Sequence, residues 1–512
     1  MFTLAAALAL AAREATLPED PPATDLCALP GEDAAAVRGG WAMIDAREMY
    51  SLTDLADALK AAPAGKRRVV RGGSFSGADM RALAPLLANA CLVETELDGT
   101  HWEGTTIPGL RLVNIDFTGA KAARARWPGL STHGVNLQGS DFTGADLSGL
   151  RFVAARQGAD FDGVSLRAAN LAGASFACGI TIDVWCVNGP PDFVGADLTG
   201  ADLSSLGLWD PKAIAGAVLD DAIVSPTSLF YLEEARITRG LRLADSFTSP
   251  YPSEPDQAPQ EPVVVAITAA EARALIDATR AEQRANDDRP SFDCAKAAAP
   301  VEKLLCGEYE SGLRALDRDL ADAWAAARAA GKGDLAAQRR WLAARAKCGD
   351  DGGCIADLYQ ARIAVLRGAL GPGIALRPGA SVTYDDDPLP LPEAMRTGEL
   401  YTRILPALRA AGRQSITLTG NPDGSLAVEG FAVGANAHSC GLGAEATRFD
   451  PATGWWSATG EGGRKVPLFR IEGRRIVLRY SGNMGDTSEE ASEFISCGAR
   501  ASFDGGIDLS PR

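Results

Sequence analysis

The chain has 512 residues, of which 46% are hydrophobic and 23% are charged, a composition that excludes a mostly disordered polypeptide and a multi-span membrane protein. Its 50 basic and 66 acidic residues give a net charge of −16, which argues against nucleic acid as a ligand because a phosphate-backbone binder needs clustered cations. With only 3 histidines, a multi-histidine metal site is not expected, and we predict no cofactor.

An uncharged apolar run opens the chain. Residues 2–12 (FTLAAALALAA) are too few to span a membrane but match the hydrophobic part of a signal peptide. No Lys or Arg precedes the run, so a buried helix is the alternative. We predict that residues 1–12 are a signal peptide and that the mature protein is periplasmic or secreted, with no transmembrane segment.

The cysteines support the same compartment. Ten occur, grouped by region as Cys27 and Cys91; Cys178 and Cys186; Cys294, Cys306, Cys348 and Cys354; and Cys440 and Cys497. No CxxC motif occurs, so disulfides are favoured over thiolate metal sites, and disulfides persist in oxidising compartments. Reduced, buried thiols in a cytosolic protein are the alternative.

Two helices are predicted near the start of a repetitive tract. Within the amino-terminal segment 13–72, residues 51–62 (SLTDLADALKAA) begin with Ser and space their leucines as one face of a helix, which would cap the tract. A second helix is predicted at 80–90 (MRALAPLLANA), with Cys91 available to pair with Cys27.

From 73 to 245 an apolar or aromatic side chain recurs every fifth residue. The positions include Leu97, Trp102, Phe117, Leu137, Phe142, Leu147, Phe152, Phe161, Leu171, Leu198 and Leu203. Thr132 breaks the apolar run between 92 and 152, and an insertion carrying Cys178 and Cys186 interrupts the spacing later. Neither the helical period of 3.6 nor the strand period of 2 produces this interval.

Stretches such as 139–148 (GSDFTGADLS) resemble the pentapeptide-repeat family, whose consensus is A(D/N)LXX. The resemblance implies a right-handed quadrilateral β-helix, in which four five-residue sides form one coil and the large side chain points inward. Some members of that family resemble DNA in shape and charge and inhibit gyrase. The acidic excess of this tract is spread rather than striped, so we favour a solvated surface over DNA mimicry.

A Pro-rich stretch at 246–262 (SFTSPYPSEPDQAPQEP) is typical of an extended spacer, and we place a domain boundary there. After an apolar run at 263–267, Thr268 and Glu271 form a predicted capping box for a helix to about 285. We assign residues 246–287 to this linker and helix.

Apolar spacings of three and four then predict helices at about 300–307, 310–330, 334–346 and 353–368, which makes 288–370 a small helical bundle. The ordered motifs FDC, PVEKLLC, QRRWLAARAKC and C-x4-Y-x2-RI resemble the lysozyme inhibitor LprI amino-terminal domain, a module of exported bacterial proteins. The family pattern is carried by Cys294, Cys306, Gln338, Trp341, Leu342, Arg345, Cys348, Cys354, Tyr359 and Arg362.

We favour the pairs Cys294–Cys306 and Cys348–Cys354 because each closes a short loop, although four cysteines permit three pairings. The resemblance implies non-catalytic binding of a partner such as a lysozyme. A structural role is the stronger interpretation of Trp341, Leu342 and Tyr359, whose helical spacing is that of a core.

The segment 378–512 predicts a small antiparallel β domain with a helix at 392–411 and a Cys440–Cys497 disulfide. Strands are predicted at 415–419, 426–433, 455–458, 466–471 and 475–480. His438 near Cys440 suggests a cysteine nucleophile, but a thiol held in a disulfide does not attack. The acidic run 385–387 predicts a solvated turn. Of the adjacent Trp455 and Trp456, one ring is expected to lie in the core.

We therefore predict a mixed multidomain chain with a pentapeptide-repeat β-helix, a disulfide-stapled helical bundle and a carboxy-terminal α+β domain. Its predicted function is that of an exported, non-catalytic binding protein with a protein partner, either a lysozyme or another envelope protein. A periplasmic scaffold without inhibitory activity and an unrecognised envelope hydrolase using His438 or an acidic pair are the alternatives.

Overall fold

The computed structural model describes Cys27 and residues 40–153, 161–177, 191–206, 208, 210–244, 263–285, 289–307, 311–386, 389, 391–433, 439–480, 491–497, 503 and 506–508. The predicted signal peptide, the Pro-rich stretch 246–262, Cys178, Cys186 and His438 lie outside those residues. The chain forms two compact units. The first contains residues 1–222 and 234–238, and the second contains 223–233 and 239–512.

The first unit is a β-solenoid of short parallel strands, each paired with the next in chain order. The strands are β1 (Trp41–Asp45), β2 (Arg67–Arg71), β3 (Cys91–Val93), β4 (Arg111–Val113), β5 (Ser131–His133), β6 (Arg151–Val153) and β7 (Ser175–Ala177). Cys91 pairs with Arg111, which pairs with Ser131, so one coil takes four five-residue repeats. Strands β1 and β2 precede the five-residue spacing, so the sheet starts earlier than the repeat pattern does.

Large side chains fill the interior of the solenoid. Every position named for the five-residue interval is at most 8% exposed. The aromatic rings contact one another between coils, as Trp102 does with Trp127 at a centroid separation of 5.4 Å and Phe117 with Phe142 at 6.0 Å. Backbone N–H groups donate to carbonyls of the preceding and the following coil, so stacking satisfies the main chain while it buries the rings.

Two buried indoles find their hydrogen-bond partners among the small residues of the repeat. The Trp102 Nε1–H donates to Thr100 Oγ1 at 2.7 Å, and the Trp127 Nε1–H donates to Thr105 Oγ1 at 3.0 Å. The buried hydroxyl of Thr132 has no hydrogen-bond partner among the described residues. Thr132, which breaks the apolar run, therefore carries an unsatisfied polar group in the core.

We expect valine to have opposite effects at two of these threonines. Thr105→Val leaves the Trp127 N–H without its acceptor and should cost about 1–3 kcal/mol of unfolding free energy. Thr132→Val removes an unpaired hydroxyl at nearly constant volume and should raise the unfolding free energy by about 1 kcal/mol. Amide hydrogen exchange of peptides from 97–132 measures both, and destabilisation by both variants to the same extent would contradict the assignment.

The amino-terminal end of this unit contains α1 (Leu52–Ala61). Its N-cap Ser51 accepts from Thr53 N–H, and Leu55 and Leu59 are buried. The prediction of a second helix at 80–90 was wrong. That stretch forms two 3₁₀ turns, Met80–Ala82 and Ala84–Leu86, because its backbone pairs with the next coil: Met80 N–H donates to the His101 carbonyl at 3.0 Å.

The second unit begins with a three-stranded sheet in the order β10, β9, β8, made of β8 (Ile223–Val224), β9 (Gly240–Ala244) and β10 (Val264–Thr268). Helix α2 (Ala269–Ala285) follows β10. Its predicted capping box is present, because Glu271 Oε2 accepts from Thr268 N–H at 2.8 Å and Thr268 Oγ1 accepts from Glu271 N–H at 3.3 Å. The described part of segment 246–287, residues 263–285, thus forms strand β10 and helix α2.

Next comes the helical bundle, with α3 (Pro300–Leu305), α4 (Ser311–Ala329), α5 (Leu335–Arg345) and α6 (Gly352–Leu370). Helices α4 and α6 pack against each other around a core that includes Leu320, Ile355 and Tyr359. The disulfides Cys294–Cys306 and Cys348–Cys354 are both formed.

An antiparallel sheet of nine strands completes the second unit. The strands are β11 (Ser381–Asp386), β12 (Arg413–Gly420), β13 (Leu426–Val433), β14 (Ser439–Asp450), β15 (Trp455–Thr459), β16 (Lys465–Glu472), β17 (Arg475–Leu478), β18 (Ile495–Cys497) and β19 (Gly506–Asp508). Cys440 on β14 lies opposite Cys497 on β18 and is bonded to it. Strands β11, β14, β18 and β19 were not predicted from the sequence.

Two local predictions in this sheet region need correction. The helix expected at 392–411 is divided into α7 (Glu393–Arg396) and α8 (Glu399–Ala411), since Gly398 is extended between them. The acidic run was expected to be a solvated turn, but Asp385 and Asp386 lie on β11 and their carboxylates are mostly buried against arginines. The prediction for the tryptophan pair holds, since Trp456 is 5% exposed and stacks on Phe469.

Candidate functional site

The outer surface of the solenoid presents polar side chains in columns, one above another on successive coils. One column contains His101, Lys121, Asp141, Ser165 and Asp192. Acidic, basic and neutral groups alternate along it, so this column offers no continuous anionic stripe.

Several Asp and Asn side chains of the repeat have a local structural role. Their carboxylate or amide oxygen accepts a hydrogen bond from the backbone N–H two residues later, which stabilises the turn between two sides of a coil. This contact is made by Asp116, Asn136, Asp141, Asp146, Asn170, Asp192, Asp197 and Asp202. Asparagine serves equally well in two of these positions. Turn chemistry therefore accounts for six of the acidic residues of the tract without a requirement for DNA mimicry.

In the helical bundle, a buried hydrogen-bond network joins four of its segments. The Tyr359 hydroxyl donates to Asp317 Oδ1 at 2.7 Å and accepts from Arg345 Nη1 at 2.7 Å. The backbone N–H of Ser291 donates to the other carboxylate oxygen of Asp317 at 2.6 Å. Trp341 packs edge-on against Tyr359 at 5.1 Å and donates its Nε1–H to the Leu358 carbonyl at 3.0 Å. These residues hold α5 against α6.

The remaining motif positions divide between packing and exposure. Arg362 Nε donates to Gln338 Oε1 at 3.0 Å, which forms a second connection between α6 and α5. Leu342, for which a core position was the stronger interpretation, is instead 42% exposed. The reason is that α5 contacts the bundle through one side only, the side of Gln338, Trp341 and Arg345.

Replacing Tyr359 with Phe should lower the unfolding free energy of the second unit by about 2 kcal/mol, because Asp317 and Arg345 lose a partner in a buried site. Burial, followed by the hydrogen bond to Asp317, raises the pKa of Tyr359 above its usual value of 10.0. Its contribution to stability is thus full below pH 10 and is lost as pH rises further. Urea unfolding at several alkaline pH values should show a shallower decline in the Phe variant, and equal slopes would contradict the network.

The bundle is joined to the carboxy-terminal sheet by an ion cluster. Arg367 on α6 contacts Asp319 on α4 and Glu472 on β16, both at 2.7 Å. Arg470, also on β16, contacts Asp319 at 2.8 Å and pairs with Glu472. The Trp455 ring lies 4.6 Å from the Arg470 guanidinium. Sequence analysis missed this cluster, because its members lie far apart in the chain and in no shared motif.

The cysteine beside His438 and the acidic run are each engaged in other contacts where the structure describes them. Cys440 is held in a disulfide, and Asp385 and Asp386 pair with Arg409 and Arg396 at 3.0 and 2.6 Å. Among the described residues, no group of three His, Cys, Asp or Glu side chains is placed to hold a metal ion. No helix in the described ranges has both the length and the apolar character needed to cross a membrane.

A family profile described as "Pentapeptide repeats" matches eight copies within residues 111–149. This part of the chain carries pentapeptide repeats. The match covers coils whose interior contains Phe117, Trp127 and Phe142 and whose turns use the capping carboxylates described above. Its consensus Asp or Asn caps the turn at four positions of the matched range, Asp116, Asn136, Asp141 and Asp146. No curated protein matches the chain.

Several solved structures are similar to part of the chain. QnrB1, a plasmid-mediated fluoroquinolone resistance protein, is 18% identical over 31% of this chain and 82% of its own, with a TM-score of 0.19. A pentapeptide repeat protein from the thylakoid lumen of Arabidopsis thaliana is 25% identical over 26% of this chain and 83% of its own, with a TM-score of 0.12. HetL, involved in heterocyst differentiation regulation in the cyanobacterium Nostoc, is 19% identical over 34% and 88%, with a TM-score of 0.13.

Proposed function

We propose that this chain is an exported, non-catalytic binding protein in which the solenoid is a rigid interaction surface for another protein. The observation that carries the proposal is the closed interior of the repeats. Side chains such as Trp102, Phe117 and Trp127 fill it completely, so a ligand can contact only the outer columns. A surface fixed by stacked coils binds a partner without loss of backbone freedom, which favours recognition of a folded protein.

The coil is proposed to be right-handed and four-sided, as the family resemblance implies. The pairing of Cys91 with Arg111 and of Arg111 with Ser131 supports four repeats per coil. Export is supported by four disulfides among the described cysteines, since disulfides of this kind persist in oxidising compartments.

The helical bundle is proposed to be a second binding module, of the LprI type. Support comes from the order of its motifs and from the roles of Tyr359, Arg345 and Trp341 in fixing α5. Inhibition of a lysozyme is the finer form of this proposal. It is tested by adding the full chain in large molar excess to a lysozyme assay, where unchanged hydrolysis would remove it.

Site-specific photo-cross-linking in the native host tests the interaction surface. A cross-linking amino acid is placed at His133, Gln138, Thr143 or Ser148, one on each side of a single coil. We expect a discrete protein adduct from one or two neighbouring sides and none from the opposite side. Absence of adducts from all four positions, or equal adducts from all of them, would contradict a binding face on the solenoid.

The compartment is tested by non-reducing peptide mapping of the protein purified from its native host. Export predicts that Cys27–Cys91 and the other three disulfides are intact in that material. Fully reduced cysteines would contradict export and would favour the alternative of a cytosolic protein with reduced, buried thiols.

A further inference from the structure

Helix α5 carries an exposed face with two leucines. No residue of this helix is buried, and Leu335 and Leu342 are 52% and 42% exposed. Ala336, Arg339, Arg340 and Ala343 are exposed between them. We call these six residues, from Leu335 to Ala343, the α5 face. Because the opposite side of the helix is fixed by Trp341 and Arg345, the face is held rigidly outward.

The charges of the α5 face are all positive. Helix α5 contains no Asp or Glu, and within the described residues neither Arg339 nor Arg340 forms an ion pair. The nearby carboxylate of Asp334 is engaged as the N-cap, where it accepts from the backbone N–H groups of Ala336 and Ala337 at 2.8 and 3.1 Å.

The lack of ion pairs here contrasts with the rest of the second unit. Among the described residues, at least eight of its other arginines pair with carboxylates: Arg280, Arg367, Arg396, Arg403, Arg409, Arg413, Arg448 and Arg470. The chain has a net charge of −16, so carboxylates are plentiful. Arg339 and Arg340 are nevertheless exposed to solvent beside the exposed leucines, without an ion pair among the described residues. Apolar groups surrounded by cations of one sign complement a surface that is apolar and acidic.

We propose that the α5 face binds an acidic amphipathic helix of a partner protein, with its leucine-type side chains against Leu335 and Leu342 and its carboxylates beside Arg339 and Arg340. This proposal rests on the proposed function as a binding protein and names the partner chemistry of the helical bundle. Leucines spaced two helical turns apart match the anchor spacing of a helix laid along a helix.

The test uses the full chain and a synthetic helical peptide with Leu at heptad spacing and Glu at all outward positions, labelled for fluorescence anisotropy. We expect saturable binding that weakens by about tenfold or more in Arg339→Glu/Arg340→Glu and in Leu335→Ser/Leu342→Ser. The control Lys60→Glu/Lys66→Glu makes the same charge change on exposed residues of the first unit and should bind as the wild type does. All of these substitutions are at exposed positions, and an unchanged melting temperature verifies folding.

Four results would overturn the proposal. They are equal binding of a peptide with Lys in place of Glu, equal loss of binding in the control variant, tighter binding of anionic lipid vesicles or duplex DNA than of the peptide, and no binding at all. If the peptide fails to bind while cross-links form on the solenoid, the α5 proposal fails and the proposed function stands. If the peptide binds but no cross-links form on the solenoid, the α5 proposal stands and the proposed binding face on the solenoid fails.

Discussion

Replacing Cys27 and Cys91 together with Ser should lower the unfolding free energy of the first unit by about 4 kcal/mol. The disulfide joins residues 64 apart in sequence, and a loop of that size loses much conformational entropy in the unfolded chain when it is closed. Both cysteines lie in a buried cluster with Trp41 and Val69. The bridge therefore ties Cys27 to the first strands of the solenoid.

Urea unfolding followed by hydrogen exchange of peptides from each unit measures this effect. The matched control is Cys294→Ser/Cys306→Ser, which opens a loop of sequence separation 12 in the second unit. The control should destabilise only the second unit, by about 3 kcal/mol, because the shorter loop restricts the unfolded chain less. Unchanged exchange in the first unit of the Cys27/Cys91 variant would show that the bridge does not stabilise the solenoid.

Gly368→Ala should destabilise the second unit by about 3 kcal/mol. Gly368 lies on α6 where the turn between β14 and β15 approaches, and a Cβ at this position would overlap the carbonyl oxygen of Pro451. Backbone cannot yield as a flexible side chain does, so the helix must move away from the sheet. That movement would also separate Arg367 from Glu472, whose contact with it is 2.7 Å.

Gly352→Ala is the control within the same helix. A Cβ there would lie 3.6 Å from Leu313, an ordinary contact, and alanine favours helix over glycine. The control should be neutral or stabilising by up to about 1 kcal/mol, as measured by urea unfolding. Equal stability of the two variants would mean that α6 does not pack on the sheet through Gly368.

The agreement between sequence and structure is best where the signal is local and repeated. The interval of five identified Trp102, Phe117 and Phe142 as interior side chains because a stacked coil places each fifth residue in the same environment. The capping box at Thr268 and Glu271 depends on residues three apart and was also visible. The two disulfides of the bundle were predicted because each joins cysteines that are close in sequence, with separations of 12 and 6 residues.

The disagreements share a physical cause, which is competition from partners distant in sequence. Residues 80–90 have helical spacing, but hydrogen bonds to the next coil replace the intrahelical ones. Asp385 and Asp386 looked like a solvated turn, and arginines from α7 and α8 bury their carboxylates instead. Leu342 has core spacing, yet α5 packs on one side only, so the leucine faces outward.

The order of residues alone specified the interior positions of the solenoid and the helices of the bundle, since these depend on intervals of three to five residues, and the coil itself was implied by the resemblance to pentapeptide repeats. The pairing of β9 with β10, the extent of the antiparallel sheet, the Asp319–Arg367–Arg470–Glu472 cluster and the exposure of the α5 face emerged only from the folded chain. Each of those features depends on which surfaces are covered when distant segments pack, and no local spacing encodes that outcome.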